Sequence, residues 1–198
     1  MRDLRGADRQ GPVAGLPEGH PVRHLQAEGG TTLTRRPLVL LAVGVWLVGL
    51  GIDQATKVQV LHSLTPGVPH EVVGTVLRFT LVFNPGAAFG LGTSFTVALS
   101  IFAMAAMIAC LVVGLPRVRT VFHALLLGLL MAGISGNLHD RLLRPPGVLQ
   151  GHVVDFIQLP HFAIFNIADI CITVAAGLLI LSSLRAPAAK EEEAEEAR

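Results

Sequence analysis

Charged residues are scarce in this chain, and this scarcity limits its class. Only 15% of the 198 residues are charged, whereas 52% are hydrophobic and the mean hydropathy is +0.61. Soluble globular domains have about 25% charged residues, so the composition excludes an ordinary soluble domain and favours a membrane protein. Four stretches lack Asp, Glu, Lys and Arg altogether, and each is a candidate membrane span: 37–52, 79–116, 120–139 and 156–184.

Cysteine is also rare, and this argues against two kinds of site. Cys110 and Cys171 both lie in apolar stretches, so a disulfide framework is not expected. Three histidines lie on the predicted outer side near Asp140 and Asp155: His139, His152 and His161. A zinc site is the alternative interpretation there. The spacing of ligand pairs typical of zinc sites is missing, so interfacial polar residues are favoured and no metal or cofactor is predicted.

The two ends of the chain differ from its apolar centre. Residues 1–36 are rich in Gly, Pro and Arg without apolar periodicity, which predicts a disordered cytoplasmic extension. No small-x-small cleavage site follows the first apolar run, so a cleavable signal peptide is not expected. Residues 187–198 predict an acidic, solvated cytoplasmic tail. The membrane domain is therefore assigned to 37–186.

A bilayer core of ~30 Å requires ~20 helical residues, and the apolar stretches satisfy this length. We predict four transmembrane helices near 37–60, 93–115, 119–139 and 163–184. The first helix extends through Asp53 and Lys57, and Lys57 is expected to reach outward to the membrane surface. The fold class is an all-α membrane protein.

Lysine and arginine near the helix ends predict the orientation. One side has six basic residues: Arg35, Arg36, Arg117, Arg119, Arg185 and Lys190. The other side has four: Lys57, Arg78, Arg141 and Arg144. The bias places both termini in the cytoplasm and makes segments 61–92 and 140–162 face outward.

The outward segment at 75–84 has the alternating pattern of a strand. Its predicted apolar face consists of Leu77, Phe79, Leu81 and Phe83. It leads into the turn sequence "NPGAAFG", and the segment is interpreted as a substrate platform. The alternative is a connecting hairpin without a role in binding.

Four aspartates lie at or near outward helix ends, and they are the main candidates for chemistry: Asp53, Asp140, Asp155 and Asp169. Asp169 is predicted about two turns into helix four, where a charge costs ~2.5–3.5 kcal/mol unless it has a partner or a function. Two carboxylates close together in a poorly hydrated pocket share one proton, which suits water activation and amide hydrolysis. Simple ion pairs remain the alternative for Asp53 with Lys57, and for Asp140 with Arg141 or Arg144.

Helix three also carries a seam of small residues that predicts close helix packing. Gly128, Ala132 and Gly136 recur every four residues and lead to Asp140, while Asn137 lies three residues before it. The seam therefore predicts that the polar residues of several helices meet at one end of a bundle.

Five sequence blocks resemble, in order, the signature of the lipoprotein signal peptidase family, also called signal peptidase II. They are "DQATK" (53–57), "NPGAAFG" (84–90), "GISGNLHDR" (133–141), "GHVVDF" (151–156) and "FNIADI" (165–170). The resemblance covers about residues 50 to 185. The connecting segment "LLRPPGVLQ" (142–150) is longer than is usual in the family, so the resemblance does not predict the shape of that loop.

The resemblance implies a bacterial plasma-membrane aspartic endopeptidase that cleaves diacylglyceryl-modified prolipoproteins just before the lipidated cysteine. It implies that Asp155 and Asp169 are the catalytic pair. It further implies a set of supporting residues: Asp53, Lys57, Asn84, Asn137, Asp140, Arg141 and Asn166. It also implies a small extracytoplasmic β-cradle at 62–92 and sensitivity to globomycin. The partners that it implies are membrane lipid and the lipid-modified substrates, with no nucleic acid.

Two other functions compete with this interpretation. "GISG" at 133–136 fits the GxSG pattern of rhomboid-type serine proteases with Ser135 as nucleophile, although rhomboids have at least six spans. Membrane carboxylates also relay protons in small carriers. Carriers have repeated topology and carboxylates along a path through the bilayer, whereas these acidic residues collect at one side.

Overall fold

Four helices form the body of the part of the chain that the structure describes. The computed structural model describes residues 35–86 and 96–196. The helices are α1 (Arg35–Ser63), α2 (Thr96–Ala109), α3 (Val121–Leu143) and α4 (Ile167–Glu196). A π-helical turn, Cys110–Gly114, and a 3₁₀ turn, Leu115–Arg117, prolong α2. Among these described residues, four segments are long and apolar enough to cross a membrane, and they confirm the predicted spans: 35–63, 96–117, 121–143 and 167–184.

Local sequence explains where several helices begin and end. Thr120 caps α3, since its side chain accepts a hydrogen bond from the backbone N–H of His123. Two prolines, Pro145 and Pro146, follow the end of α3 and lack the N–H groups that a helix requires. The turn after α1 contains Gly67 at φ 76°, a conformation that glycine adopts without steric cost.

A three-stranded antiparallel sheet lies at one end of the bundle, which we call the outer end. Its strands, in spatial order, are β1 (His70–Val73), β2 (Leu77–Asn84) and β3 (Val153–Gln158). β1 and β2 follow α1, whereas β3 lies between α3 and α4. A small core joins the sheet to α1, and its buried members are Val60, Leu81, Val154 and Phe156.

Close approach between helices depends on the small residues of α3, as the sequence predicted. A Cβ at Gly128 would lie 2.6 Å from the Ala42 carbonyl oxygen of α1. At Gly133, which is not a member of the predicted seam, it would lie 2.5 Å from the Ala168 carbonyl oxygen of α4. Such contacts are too short for any side chain, so glycine permits α3 to pack directly against both neighbours.

Several sequence predictions need correction at their boundaries. Helix four begins at Ile167 rather than near 163, because Phe165 instead forms a β-bridge with Ile157. Asp169 therefore lies in the first turn of α4, not two turns inside it. The same helix continues beyond 186 to Glu196, into the predicted tail. Helix one already includes Arg35 and Arg36, which were assigned to the extension.

The predicted β element was also incomplete. Its third strand, β3, lies outside 62–92, within the outward segment 140–162, and contains Asp155. The predicted apolar face of β2 is only partly correct, because Thr80 and Leu81 are both buried while Phe83 is 43% exposed. An irregularity in the pairing between Phe79 and Val82 breaks the strict alternation.

Some predictions lie outside the described residues. They are the disorder of 1–34, the turn residues 87–90, the first residues of predicted helix two at 93–95, and the last two residues of the tail.

The α1–α3 interface provides a test of the packing. We expect Gly128→Ala to lower the free energy of unfolding by about 1–3 kcal/mol, because the new methyl group must displace the α1 backbone. Gly44→Ala is the matched control, since a Cβ there meets nothing within 4 Å. Thermal unfolding in detergent measures the stability of both variants. Equal stability of Gly128→Ala and Gly44→Ala would contradict this packing.

Candidate active site

The site is built around a buried lysine at the outer end of α1. The Lys57 Nζ lies 2.9 Å from Asp53 Oδ2 and 2.8 Å from Asp140 Oδ2 of α3. All three side chains are essentially inaccessible to solvent. The expectation that Lys57 reaches the membrane surface is therefore wrong, because two carboxylates hold its amine in the interior.

Arg144 completes this ion network. Its Nε donates to Asp140 Oδ1 at 2.5 Å, so Asp140 pairs with Arg144 and not with Arg141. Two lysine or arginine cations thus balance two carboxylates. Such balance is required here, because a buried charge without a partner costs several kcal/mol.

The network also fixes the backbone next to each candidate catalytic aspartate. Asp140 Oδ2 accepts a hydrogen bond from the N–H of Val154, the residue before Asp155, at 3.2 Å. Asp53 Oδ1 accepts from the N–H of Ala168, the residue before Asp169, at 2.9 Å. Each carboxylate that binds Lys57 therefore also positions one candidate catalytic aspartate: Asp140 positions Asp155, and Asp53 positions Asp169.

Asn166 and Asp169 form a reciprocal cap at the start of α4. The Asn166 side-chain oxygen accepts from the Asp169 N–H at 3.0 Å, and Asp169 Oδ2 accepts from the Asn166 N–H at 3.1 Å. This arrangement satisfies N–H groups that otherwise lack partners at a helix start. It explains why an amide and a carboxylate occur at the edge of an apolar helix.

Asn166 also connects the two aspartates. Its side-chain amide donates to Asp155 Oδ1 at 2.6 Å and to Asn137 Oδ1 at 3.0 Å. Asn137 in turn donates to Asp169 Oδ1 at 2.8 Å. Asn84, at the end of β2, donates to Asp155 Oδ2 at 2.9 Å. Both aspartates thus belong to one continuous hydrogen-bond network.

A cavity of about 290 Å³ opens onto this network. Five of the nine residues predicted for the site line it: Asn84, Asn137, Arg141, Asp155 and Asp169. The other four lie behind the cavity wall in the networks described above: Asp53, Lys57, Asp140 and Asn166. The structure brings all nine together at the outer end of the bundle.

The electrostatics of Asp155 suit proton exchange near neutral pH. Asp155 is 3% exposed, and burial raises its pKa from 3.8 to about 7, with a further increase from the nearby charge of Asp169. Hydrogen bonds from Asn84 and Asn166 act in the opposite direction, because they favour the ionised carboxylate. Asp155 therefore retains a proton at a pH where an ordinary aspartate is ionised.

Arg141 is the cation of the cavity. Its Nη2 donates to the Gly86 carbonyl oxygen at 3.1 Å, which connects α3 to the turn after β2. Its Nη1 is buried and has no hydrogen-bond partner within the described parts of the chain. This leaves one strong donor available beside the carboxylates.

Sequence reasoning did not identify three further contributors. Gly86 acts through its backbone carbonyl, which no residue pattern reveals. Phe162 and Ile164 line the cavity from the segment before α4. Their aromatic and branched side chains carry no sequence signal that distinguishes them from other outward apolar residues.

Ser135 of the rhomboid-like pattern does not have the surroundings of a nucleophile in this structure. The Ser135 hydroxyl donates to the Met131 carbonyl oxygen at 2.7 Å and accepts from the Trp46 ring N–H at 2.9 Å. It lies within α3 and is not among the residues that line the cavity. Ser135 therefore joins α1 to α3.

A four-span bundle with a carboxylate pair in an outer cavity has the architecture of a membrane aspartic peptidase. Comparison with known proteins identifies the family: the model of Peptidase_A8, signal peptidase (SPase) II, matches residues 45–185. The chain belongs to the signal peptidase II family. It is thus a multi-pass bacterial membrane peptidase that removes signal peptides from prolipoproteins, and the expected family and enzyme class are confirmed.

Individual relatives agree with this assignment. The chain is 43% identical over 149 residues to the lipoprotein signal peptidase of Leifsonia xyli subsp. xyli, covering 75% of this chain and 68% of that protein. It is 39% identical over 187 residues to that of Streptomyces coelicolor, covering 92% of this chain and 88% of that protein. A solved bacterial membrane enzyme matches with a TM-score of 0.64 at 31% identity, covering 76% of this chain and 88% of that chain.

The double role of Asn166 can be tested with two variants. We expect Asn166→Ala to lower the free energy of unfolding by about 1–2 kcal/mol, because it removes the helix cap. Asn166→Ser should retain most of this stability, since serine is a good cap, yet it is too short to reach Asp155. Thermal unfolding in detergent would contradict this account if serine were as destabilising as alanine.

Proposed function

We propose that Asp155 and Asp169 together activate one water molecule for hydrolysis of the peptide bond that precedes the lipidated cysteine. The supporting observation is that both carboxylates line one cavity and are connected through Asn166 and Asn137. Asp155, with its raised pKa, carries the proton and acts as the acid, and Asp169 acts as the base.

In the proposed reaction, the Asp169 carboxylate takes a proton from water as the water oxygen attacks the scissile carbonyl carbon. The Asp155 carboxyl donates its proton to the carbonyl oxygen, which gives a tetrahedral gem-diol. The C–N bond then breaks as the proton held by Asp169 passes to the cysteine nitrogen and a hydroxyl proton returns to Asp155. The products are a signal-peptide carboxylic acid and a free cysteine amine.

Arg141 and the asparagines are proposed to hold the substrate and the pair. The free Nη1 donor of Arg141 suits a backbone carbonyl of the substrate. Asn84, Asn137 and Asn166 fix the carboxylate oxygens by direct hydrogen bonds. Asp53, Lys57 and Asp140 act through the backbone contacts at Val154 and Ala168.

The membrane context favours a lateral route for the substrate. The cavity is lined by Thr173 of α4 and by Phe162, Ala163 and Ile164, so apolar groups lie beside the carboxylates. Diacylglyceryl chains can then stay in the bilayer while the scissile bond reaches the pair. The proposal also includes cytoplasmic termini, a membrane domain between an N-terminal extension and a C-terminal tail, and inhibition by globomycin.

The first test replaces each carboxylate by its neutral isostere. We expect Asp155→Asn and Asp169→Asn each to reduce cleavage of a diacylated lipobox peptide by at least about 10³-fold. Asp155→Asn removes the acid that protonates the carbonyl oxygen, and Asp169→Asn removes the base that deprotonates water. The assay uses purified enzyme in lipid and mass spectrometry of the products. Ser135→Ala should retain activity, whereas dependence on Ser135 or full activity in either asparagine variant would overturn the assignment.

The second test uses pH. Because the pKa of Asp155 is raised to about 7, the shared proton is present below this pH and is lost above it. We therefore expect kcat/KM to fall as the pH rises through about 7. In Asn84→Ala this decline should move to higher pH, since Asn84 stabilises the ionised form of Asp155. A decline that moves to lower pH would contradict the assigned hydrogen bond.

A further inference from the structure

A second cavity lies on the outer sheet, separate from the candidate active site. It has a volume of about 370 Å³, and we call it the outer subsite. Its lining residues include Thr75, Arg78, Gln158, His161 and Phe162. None of the described residues that line it is an aspartate or a glutamate.

The polar groups of the outer subsite are mainly hydrogen-bond donors. Arg78 of β2 lies directly opposite Gln158 of β3 in the strand register. The Gln158 side-chain oxygen accepts from the Thr80 hydroxyl at 2.6 Å, which leaves its NH₂ group as a donor. A guanidinium and an amide donor on adjacent strands favour a carboxylate or another anion.

The charge of Arg78 is not closely paired. Its Nη2 lies 3.7 Å from Glu71 Oε1, and the Glu71 side chain is 60% exposed. The Nε of Arg78 is buried without a hydrogen-bond partner among residues 35–86 and 96–196. A weak, solvated ion pair contributes little energy, so the guanidinium remains available for a stronger anionic partner.

The outer subsite adjoins the active-site cavity. Phe162 lines both cavities, and both extend along β2 and β3. Asp155 and Gln158 lie three residues apart on β3, which corresponds to ~10 Å of extended chain. A peptide that leaves the carboxylate pair along the sheet therefore reaches the subsite about three residues later.

We propose that the outer subsite binds an acidic side chain of the mature lipoprotein, about two to four residues after the lipidated cysteine. This inference rests on the proposed function, since it takes the direction of the substrate from it. The signal peptide lies in the membrane, so the chain on the other side of the scissile bond must leave toward water over the outer sheet. Arg78 then acts as a residue that determines specificity.

The experiment compares three lipobox peptides that carry Glu, Gln or Lys at the second to fourth positions after the cysteine. In uncharged phosphatidylcholine vesicles we expect kcat/KM to be about three- to tenfold higher for Glu than for Lys, chiefly through KM. The ratio should decrease with added salt. Arg78→Lys should keep the preference, Arg78→Gln should bring the ratio close to one, and Arg78→Glu should reverse it.

Arg119→Gln is the matched control, because Arg119 is exposed between α2 and α3 at the opposite end of the bundle. It should leave the activity and the charge preference unchanged. Equal cleavage of all three peptides by the unmodified enzyme, or an unchanged ratio in Arg78→Gln, would overturn the outer subsite and leave the proposed function intact. Failure of the unmodified enzyme to cleave any of the three peptides would overturn both the outer subsite and the proposed function.

A lipid phosphate is the alternative anion for the outer subsite, and the same enzyme variants distinguish it from an acidic peptide side chain. The assay is repeated with phosphatidylglycerol added to the vesicles. If Arg78→Gln changes the response to phosphatidylglycerol while the peptide charge has no effect, the subsite binds lipid and the proposal is wrong. A peptide-charge preference that depends on Arg78 in both vesicle types supports it.

Discussion

The outer end of the molecule depends on the ion pairs that the buried amine of Lys57 makes with two carboxylates. The amine joins Asp53 of α1 to Asp140 of α3, and these carboxylates in turn fix the backbone beside Asp169 and Asp155. Removing one member of such a buried network leaves a charge without a partner, which typically costs about 3–5 kcal/mol. Lys57 therefore links the stability of the bundle to the geometry of the site.

The arrangement gives the two aspartates different environments. Asp155 lies on a strand, is almost fully buried and accepts hydrogen bonds from two asparagines. Asp169 lies at a helix start, is partly exposed and takes part in the helix cap. Two carboxyl groups in unequal surroundings can hold one proton between them, which is the condition for acid and base chemistry in one cavity. The sheet is thus part of the site, because it supplies Asp155 and Asn84.

Much of this organisation could be predicted from the sequence. Gaps in charge predict the four spans, and the seam through Gly128 and Gly136 predicts that helix three packs closely against its neighbours. The position of Asp169 was misjudged, because an apolar segment before a helix resembles the helix itself until the cap is recognised. Strand β3 was missed, since its first four residues are all buried and this lack of alternation gives no strand periodicity. The inward direction of Lys57 depends on Asp140, a partner distant in sequence.

The central claim is that Asp155 and Asp169 lie close enough for the charge of one to control the proton of the other. The most direct measurement is the titration of Asp155 by carboxyl ¹³C NMR in lipid nanodiscs, in the unmodified protein and in Asp169→Asn. The account predicts a pKa of about 7 for Asp155 in the unmodified protein, and a lower one in the variant, because a nearby negative charge has been removed. An ordinary pKa for Asp155, or one that Asp169→Asn leaves unchanged, would contradict it.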